Sequence, residues 1–63
     1  MKANIRKLEI CMAKARINQK DLSKMSNISE RALSFIMNGG SCRTDTIGRI
    51  AAALEIDVEN IIE

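Results

Sequence analysis

The sequence lacks histidine, proline, tryptophan and tyrosine, and has one phenylalanine, two cysteines and three glycines in 63 residues. Histidine is the commonest general base and metal ligand, so its absence removes the usual routes to acid-base catalysis and zinc binding. Cys11 and Cys42 form neither a CxxC pair nor a disulfide framework. Because no nucleophile, base and orienting group come together, we expect no enzyme, no metal site and no cofactor.

The sequence also lacks long apolar runs. A membrane span needs roughly 18 uninterrupted apolar residues, and charged residues break the first fifteen positions, where a secretion signal would lie. A hydrophobic content of 46% argues against a disordered tail. We therefore expect a cytoplasmic protein with a single domain over residues 1–63. A core this small is marginally stable, which favours stabilisation by a second copy or a ligand.

Charge is divided unevenly along the chain, although the formal total is only +2. Residues 1–43 carry nine basic and three acidic side chains, a formal charge of +6, whereas residues 44–63 carry one basic and five acidic side chains, a formal charge of −4. The first part suits a polyanion and the second part does not. A single aromatic ring makes no stacking platform for single strands, so duplex DNA is preferred over RNA.

Apolar residues that recur at steps of three and four predict five helices. The predicted helices cover about 4–15, 19–26, 30–38, a fourth capped by Thr44 or Asp45 and ending near Leu54, and 58–62. The buried stripe of the first contains Ile5, Leu8, Met12 and Ala15, with Cys11 beside it as a small buried hydrophobe. Asn18, Ser29 and Asp57 are predicted N-caps, each flanked by two apolar residues at the spacing of a hydrophobic staple. Because no alternating strand pattern appears, the predicted fold is all-α.

Two short helices meet at a predicted corner around Asn27, a residue type that tolerates the left-handed conformation. Gly39 is predicted to end the next helix in the same conformation. Such a pair inside a small helical domain with a basic flank meets the requirements of a helix-turn-helix, although a plain helical bundle shares part of this pattern.

The segments 18–39, 45–54 and 57–62 resemble the Cro/repressor type of helix-turn-helix, also called the XRE family. Its specific marks here are Gln19 at the start of the second helix and Asn38-Gly39 at the end of the third. The resemblance implies a compact five-helix, lambda-repressor-like DNA-binding domain, found in phage repressors and bacterial regulators, with its helix-turn-helix core at about 18–39. It also implies that Gln19 lies at the DNA backbone and that Asn38 contacts a phosphate.

The third helix of a helix-turn-helix lies in the major groove, so its outward side chains are the predicted base contacts. With Leu33 and Ile36 turned inward, these are Glu30, Arg31, Ser34 and Phe35. Arg31 suits guanine, and Glu30 suits a cytosine amino group or merely complements the helix dipole. For Phe35 two placements stay open: contact with a thymine methyl group, or packing against the body of the domain.

The remaining predicted contacts are to the DNA backbone, through hydroxyl, amide and basic groups. Besides Gln19 and Asn38, they are Lys20, Ser29, Gly40, Ser41 and Arg43, the loop offering N–H, hydroxyl and guanidinium groups. Lys20 is equally compatible with simple solvation.

An apolar surplus near the C-terminus has two interpretations. Ile56, Val58, Ile61 and Ile62 either form a homodimer interface or close the monomer's own core. We expect a sequence-specific regulator of double-stranded DNA that occupies an operator as a dimer, with no membrane and no small-molecule ligand. The alternative is a protein-protein interaction module, antirepressor-like or antitoxin-like, on the same fold.

Overall fold

Helices account for nearly all the regular structure of the chain, of which the computed structural model describes residues 1–62. These residues form α1 (Ile5–Ala15), α2 (Gln19–Ser26), α3 (Glu30–Met37), α4 (Thr44–Ala53) and a 3-10 turn at Val58–Asn60. The predicted all-α fold is confirmed, and α1, α2 and α3 each start within one residue of the predicted position. None of the described helices is long and apolar enough to cross a membrane.

One apolar core joins all the helices to the C-terminal segment. Its six most buried large side chains come from every part of the fold: Leu8, Leu22, Leu33, Ile47, Ile50 and Ile61. The prediction that Ala15 belongs to the buried stripe of α1 is wrong. Ala15 is exposed because the last turn of α1 borders an open groove beside Leu54 instead of the core.

Capping hydrogen bonds fix the start of α2. The Asn18 side chain accepts from the Asp21 N–H at 2.8 Å, and the Asp21 carboxylate accepts from the Asn18 N–H at 3.3 Å. This reciprocal pair is a capping box, which satisfies two backbone donors that a helix start otherwise leaves unpaired. The N-cap prediction for Asn18 is therefore confirmed.

The predicted caps of α4 are wrong. Arg43 occupies the N-cap position without a side-chain cap bond, while Thr44 is already the first helical residue. The Asp45 carboxylate forms an ion pair with the Arg43 guanidinium.

Left-handed residues end the α-helices. Asn27 follows α2 with φ 59° and Gly39 follows α3 with φ 96°, as predicted from residue type. Arg16 after α1 and Glu55 after α4 have φ 59° and 57°. Neither residue type favours this conformation, but the Ile17 N–H donates to the Met12 carbonyl at 3.1 Å and the Ile56 N–H to the Ala51 carbonyl at 3.0 Å, and these bonds close the two helix ends.

The fifth helix predicted over 58–62 is instead one 3-10 turn, and Asp57 precedes it without making a side-chain cap bond. The chain leaves helical geometry at Ile61, with φ −131°, to pair with the N-terminal segment. The Asn4 N–H donates to the Ile61 carbonyl at 2.7 Å, and Ala3 forms an isolated antiparallel bridge with Ile62. Tertiary pairing with this segment replaces the helical hydrogen bonds that a longer helix needs.

Candidate nucleic-acid interface

α3 is amphipathic and separates a buried face from an outward one. Leu33 is 0% and Ile36 3% exposed, so both side chains belong to the core. The opposite face presents the predicted contact residues: Glu30, Arg31, Phe35 and Asn38 are exposed, and Ser34 is half-buried. The structure therefore brings together on one helix all four predicted base contacts.

A buried serine hydroxyl bonds across the corner between α2 and α3, and a second one bonds within α2. Ser23 Oγ donates to the Ile28 carbonyl at 2.5 Å, across the turn, and Ser26 Oγ donates to the Leu22 carbonyl at 2.6 Å. Both serines are almost fully buried. A buried carbonyl without a partner is costly, so the Ser23 bond stabilises the turn that leads from α2 into α3.

Two predicted backbone contacts lie at the ends of α3. Ser29 Oγ accepts from the Ala32 N–H at 3.1 Å, which caps the helix and leaves the hydroxyl hydrogen to donate elsewhere. At the other end, Asn38 Nδ2 donates to the Ser34 carbonyl at 2.8 Å. Asn38 Nδ2 also lies 3.5 Å from Ser34 Oγ, so the amide group predicted to contact a phosphate is directed towards Ser34.

The first turn of α2 carries Gln19 and Lys20. Lys20 is exposed. Gln19 is half-buried and borders a shallow hollow, lined also by Ile17 and by Met37 from the end of α3. Thus Gln19 lies near the C-terminal end of α3, where the predicted contact Asn38 follows.

In the loop between α3 and α4, the Gly40 N–H is not free for the phosphate contact that the sequence predicted. The Gly40 N–H donates to the Phe35 carbonyl at 2.9 Å, so it is not available to a phosphate, and that part of the prediction is corrected. Ser41 is exposed. The next N–H, of Cys42, donates to the Met1 carbonyl at 2.7 Å, which ties the loop to the N-terminal segment.

Arg43 forms a bidentate ion pair with Asp45 at the exposed start of α4. Arg43 Nη2 lies 2.9 Å from Asp45 Oδ2, and Arg43 Nε lies 3.1 Å from Oδ1. The side-chain hydrogen bond and the positive charge of Arg43 lower the pKa of the Asp45 carboxyl below its usual range, and Asp45 raises the pKa of Arg43 for the same reasons. The guanidinium is thus held beside a carboxylate, but both side chains remain open to solvent.

Phe35 does not enter the core. Its side chain is 62% exposed on the outward face of α3, while one ring edge rests against Gly40, where a Cβ atom would overlap it. Of the two placements left open by the sequence, the structure therefore combines partial support from the loop with a largely exposed ring.

The C-terminal apolar residues divide into two groups. Ile61 is 0% exposed and lies inside the monomer's own core, so it has no surface to offer a second copy. Ile56, Val58 and Ile62 are half-buried and pack against that core. Only these three keep accessible surface for the predicted interface.

Sequence reasoning missed three contacts near this interface: the Arg43–Asp45 pair, the Phe35–Gly40 contact and the tie from Met1 to the loop. The opposite charges of Arg43 and Asp45, two residues apart, were a sequence signal for the ion pair. The other two depend on how the loop folds back. Among the described residues, no group of three or more histidine, cysteine or acidic side chains is placed to hold a metal ion, and Cys11 and Cys42 are half-buried free thiols.

Comparison with known proteins shows that the chain matches a family of DNA-binding domains. A model of the Cro/C1-type HTH DNA-binding domain family matches residues 7–63, which include α2, α3, α4 and all of α1 except its first two residues. No curated protein and no solved structure matches the chain. The matched region covers most of the chain and contains the amphipathic α3 and the corner that presents it. The chain belongs to the Cro/C1-type HTH DNA-binding domain family.

Proposed function

We propose that this DNA-binding protein is a sequence-specific repressor that occupies an operator as a homodimer. The observation that carries the proposal is the division of α3, which buries Leu33 and Ile36 while exposing Arg31, Phe35 and a polar face. An α-helix fits the major groove of B-DNA, where every base pair shows a distinct pattern of donors, acceptors and methyl groups.

The proposed base contacts differ in chemistry. Arg31 donates two hydrogen bonds to guanine O6 and N7, and such a pair discriminates against other bases by about 1 to 3 kcal/mol. Glu30 accepts from a cytosine amino group. Ser34 is short and half-buried, so it reaches a base edge only where the groove lies close to the helix.

The proposed backbone contacts surround α3 and set its register on the duplex. They are Gln19, Lys20, Ser29, Asn38, Ser41 and Arg43. The +6 charge of residues 1–43 supports binding to DNA, because basic side chains attract the phosphates and release counterions from them. Arg43 exchanges Asp45 for a phosphate oxygen when DNA is present.

The proposed dimer places two copies on half-sites about one helical turn apart, roughly 34 Å. Ile56, Val58 and Ile62 supply its apolar contacts. Bound in this way, the dimer represses by covering the DNA that polymerase needs.

Selection of bound duplexes from a random pool, followed by gel shifts at several salt concentrations, tests sequence specificity. We expect an enriched palindrome. Arg31→Ala should lose preference for one guanine per half-site, by about 5- to 160-fold, because the bidentate contact is gone. Lys20→Ala is the matched control: it should weaken binding to all sequences about equally and reduce the salt slope by about 1.

Two other results would contradict the proposed function or the proposed role of Arg31. If no sequence is enriched at low salt, the repressor proposal is wrong and the protein-interaction alternative is favoured. If Arg31→Ala weakens all sequences equally, Arg31 contacts the backbone and not a base.

A further inference from the structure

Phe35 is the only aromatic residue of the chain, and its side chain is 62% exposed. An aromatic ring contributes most to stability when its large apolar surface is buried. The core of this monomer is complete without the ring, since Leu33 and Ile36 already fill the inner face of α3. The exposed ring is therefore available to an apolar group outside the monomer.

Gly40 supports one edge of this ring. The Gly40 N–H donates to the Phe35 carbonyl at 2.9 Å, which holds the loop against the end of α3. A Cβ atom at Gly40 would overlap the ring atoms Cδ2, Cε2 and Cζ. The backbone of Gly40 lies outside the left-handed region, unlike that of Gly39 with φ 96°. Position 40 therefore needs glycine because a larger side chain would overlap the ring, and not because its backbone adopts a special conformation.

The surroundings of the ring indicate what it would bind. Arg31 and Asn38 lie one helical turn to either side of Phe35, at i−4 and i+3, so polar groups and the ring share one face of α3. On a major-groove surface, the C5 methyl group of a pyrimidine is the apolar feature, next to the donors and acceptors of the bases. A ring placed among polar contacts is suited to that methyl group.

We propose that Phe35 recognises the C5 methyl group of a pyrimidine near the guanine bound by Arg31, with Gly40 as the residue that positions the ring. This inference rests on the proposed function and adds a specific ligand to it. Thymine and 5-methylcytosine carry this methyl group, whereas uracil and cytosine do not. The protein therefore distinguishes methylated from unmethylated cytosine at this position of its site.

Substitution of single bases in the selected duplex tests the proposal. Replacing each thymine in turn by deoxyuridine removes only the methyl group. We expect wild-type binding to weaken about fourfold at one position in each half-site, the effect of losing one buried methyl group. A duplex with cytosine at that position should also bind weakly. A duplex with 5-methylcytosine there should bind about fourfold more tightly than the cytosine duplex. The altered group is on the DNA, so this result does not depend on the folding of a variant.

Protein variants assign the methyl effect to Phe35. Phe35→Ala should bind the thymine and uracil duplexes equally. Ile10→Ala is a matched control, because Ile10 is a similarly exposed apolar residue, 47% exposed, on α1. It should keep the fourfold difference.

A second pair of variants tests the positioning role of Gly40. Gly40→Ala should reduce the thymine-to-uracil difference to less than twofold, and it should have no further effect on this difference in the Phe35→Ala background. Gly48→Ala is the control, because a Cβ at Gly48 meets nothing within 4 Å. It should leave the difference unchanged.

Three results would overturn the inference. Wild-type binding that is indifferent to every thymine-to-uracil change, on a duplex that it does select, refutes methyl recognition while leaving the proposed function intact. A uracil effect that persists in Phe35→Ala assigns the methyl contact to another residue. If no duplex is selected, both the inference and the proposed function fail.

Discussion

At the scale of single residues, Arg43 shows how an intramolecular contact competes with a proposed ligand. Its guanidinium holds the Asp45 carboxylate with two hydrogen bonds, yet both side chains are largely open to solvent. Exposed ion pairs contribute little to stability because water and salt screen them. A phosphate can therefore replace Asp45 at a small cost in free energy. In the absence of DNA, the ion pair keeps the Arg43 guanidinium beside the start of α4.

The ion pair predicts the titration of Asp45. Its pKa lies below the usual range, first because Arg43 hydrogen-bonds to the charged carboxylate. The pair therefore persists as the pH falls through the ordinary aspartate range, and it is lost only when the pH passes the lowered pKa. Arg43→Gln should raise the Asp45 pKa towards its ordinary value, as measured by NMR titration of the carboxyl carbon.

Arg49→Gln provides the control for this titration. Arg49 contributes the weakest of the effects that lower the Asp45 pKa. Its removal should raise that pKa by less than Arg43→Gln does. An equal or larger rise would mean that the bidentate pair does not dominate in solution.

At the scale of helices, residue type predicts a helix boundary where the cap or turn depends only on neighbouring residues. Asn18 and Ser29 stand at the predicted N-caps and make the predicted bonds, because a cap depends on residues only three positions apart. Asn27 and Gly39 end α2 and α3 for a similarly local reason. Arg16 and Glu55 end helices without any such preference of residue type, and backbone hydrogen bonds to the last turn close these two helices.

The Asn18 capping box predicts a measurable loss of stability. Asn18→Ala removes the acceptor for the Asp21 N–H, and the free energy of unfolding should fall by about 1 kcal/mol. For a domain of this size, the midpoint of thermal unfolding should fall by about 4 to 8 °C. Denaturant and thermal unfolding followed by circular dichroism measure both quantities.

Asn60→Ala is the matched substitution for this experiment. Asn60 is exposed and lies in the 3-10 turn, away from any capping bond. It should change the free energy of unfolding by no more than about 0.5 kcal/mol. Equal losses in the two variants would show that the capping box does not stabilise α2.

At the scale of the whole molecule, the two ends of the chain complete the fold. Ala3 is almost fully buried and pairs with Ile62, and the Met1 carbonyl accepts from the Cys42 N–H at 2.7 Å. The N-terminal segment therefore connects the C-terminal residues to the loop that follows α3. This connection explains why Ile61 belongs to the core and why the last turn stays short.

The same packing decides how the proposed dimer can be tested. A charge at Ile61 would be buried without a partner and would unfold the monomer. Val58 is only half-buried, so Val58→Glu keeps the fold while opposing apolar contact between copies. We expect two wild-type chains to bind a full palindrome cooperatively in sedimentation, and Val58→Glu to lose this cooperativity.

Binding to an isolated half-site is the internal control for Val58→Glu. Its half-site affinity should stay within about twofold of the wild type, since the substitution lies outside the proposed DNA contacts. Loss of half-site binding would show damage to the fold or to the DNA surface. Unchanged cooperativity on the palindrome would place the dimer interface elsewhere.

Residue type and spacing were sufficient to predict the helical class, the starts of the first three helices, the corner at Asn27 and the outward residues of α3. Each of these features depends on residues within a few positions of one another, so local physical preferences are enough. The length of the last turn, the burial of Ile61, the ion pair of Arg43 and the contact of Phe35 with Gly40 could be seen in the folded structure alone. These features arise where separate segments meet, and there the energy of packing and pairing outweighs the local preference of the chain.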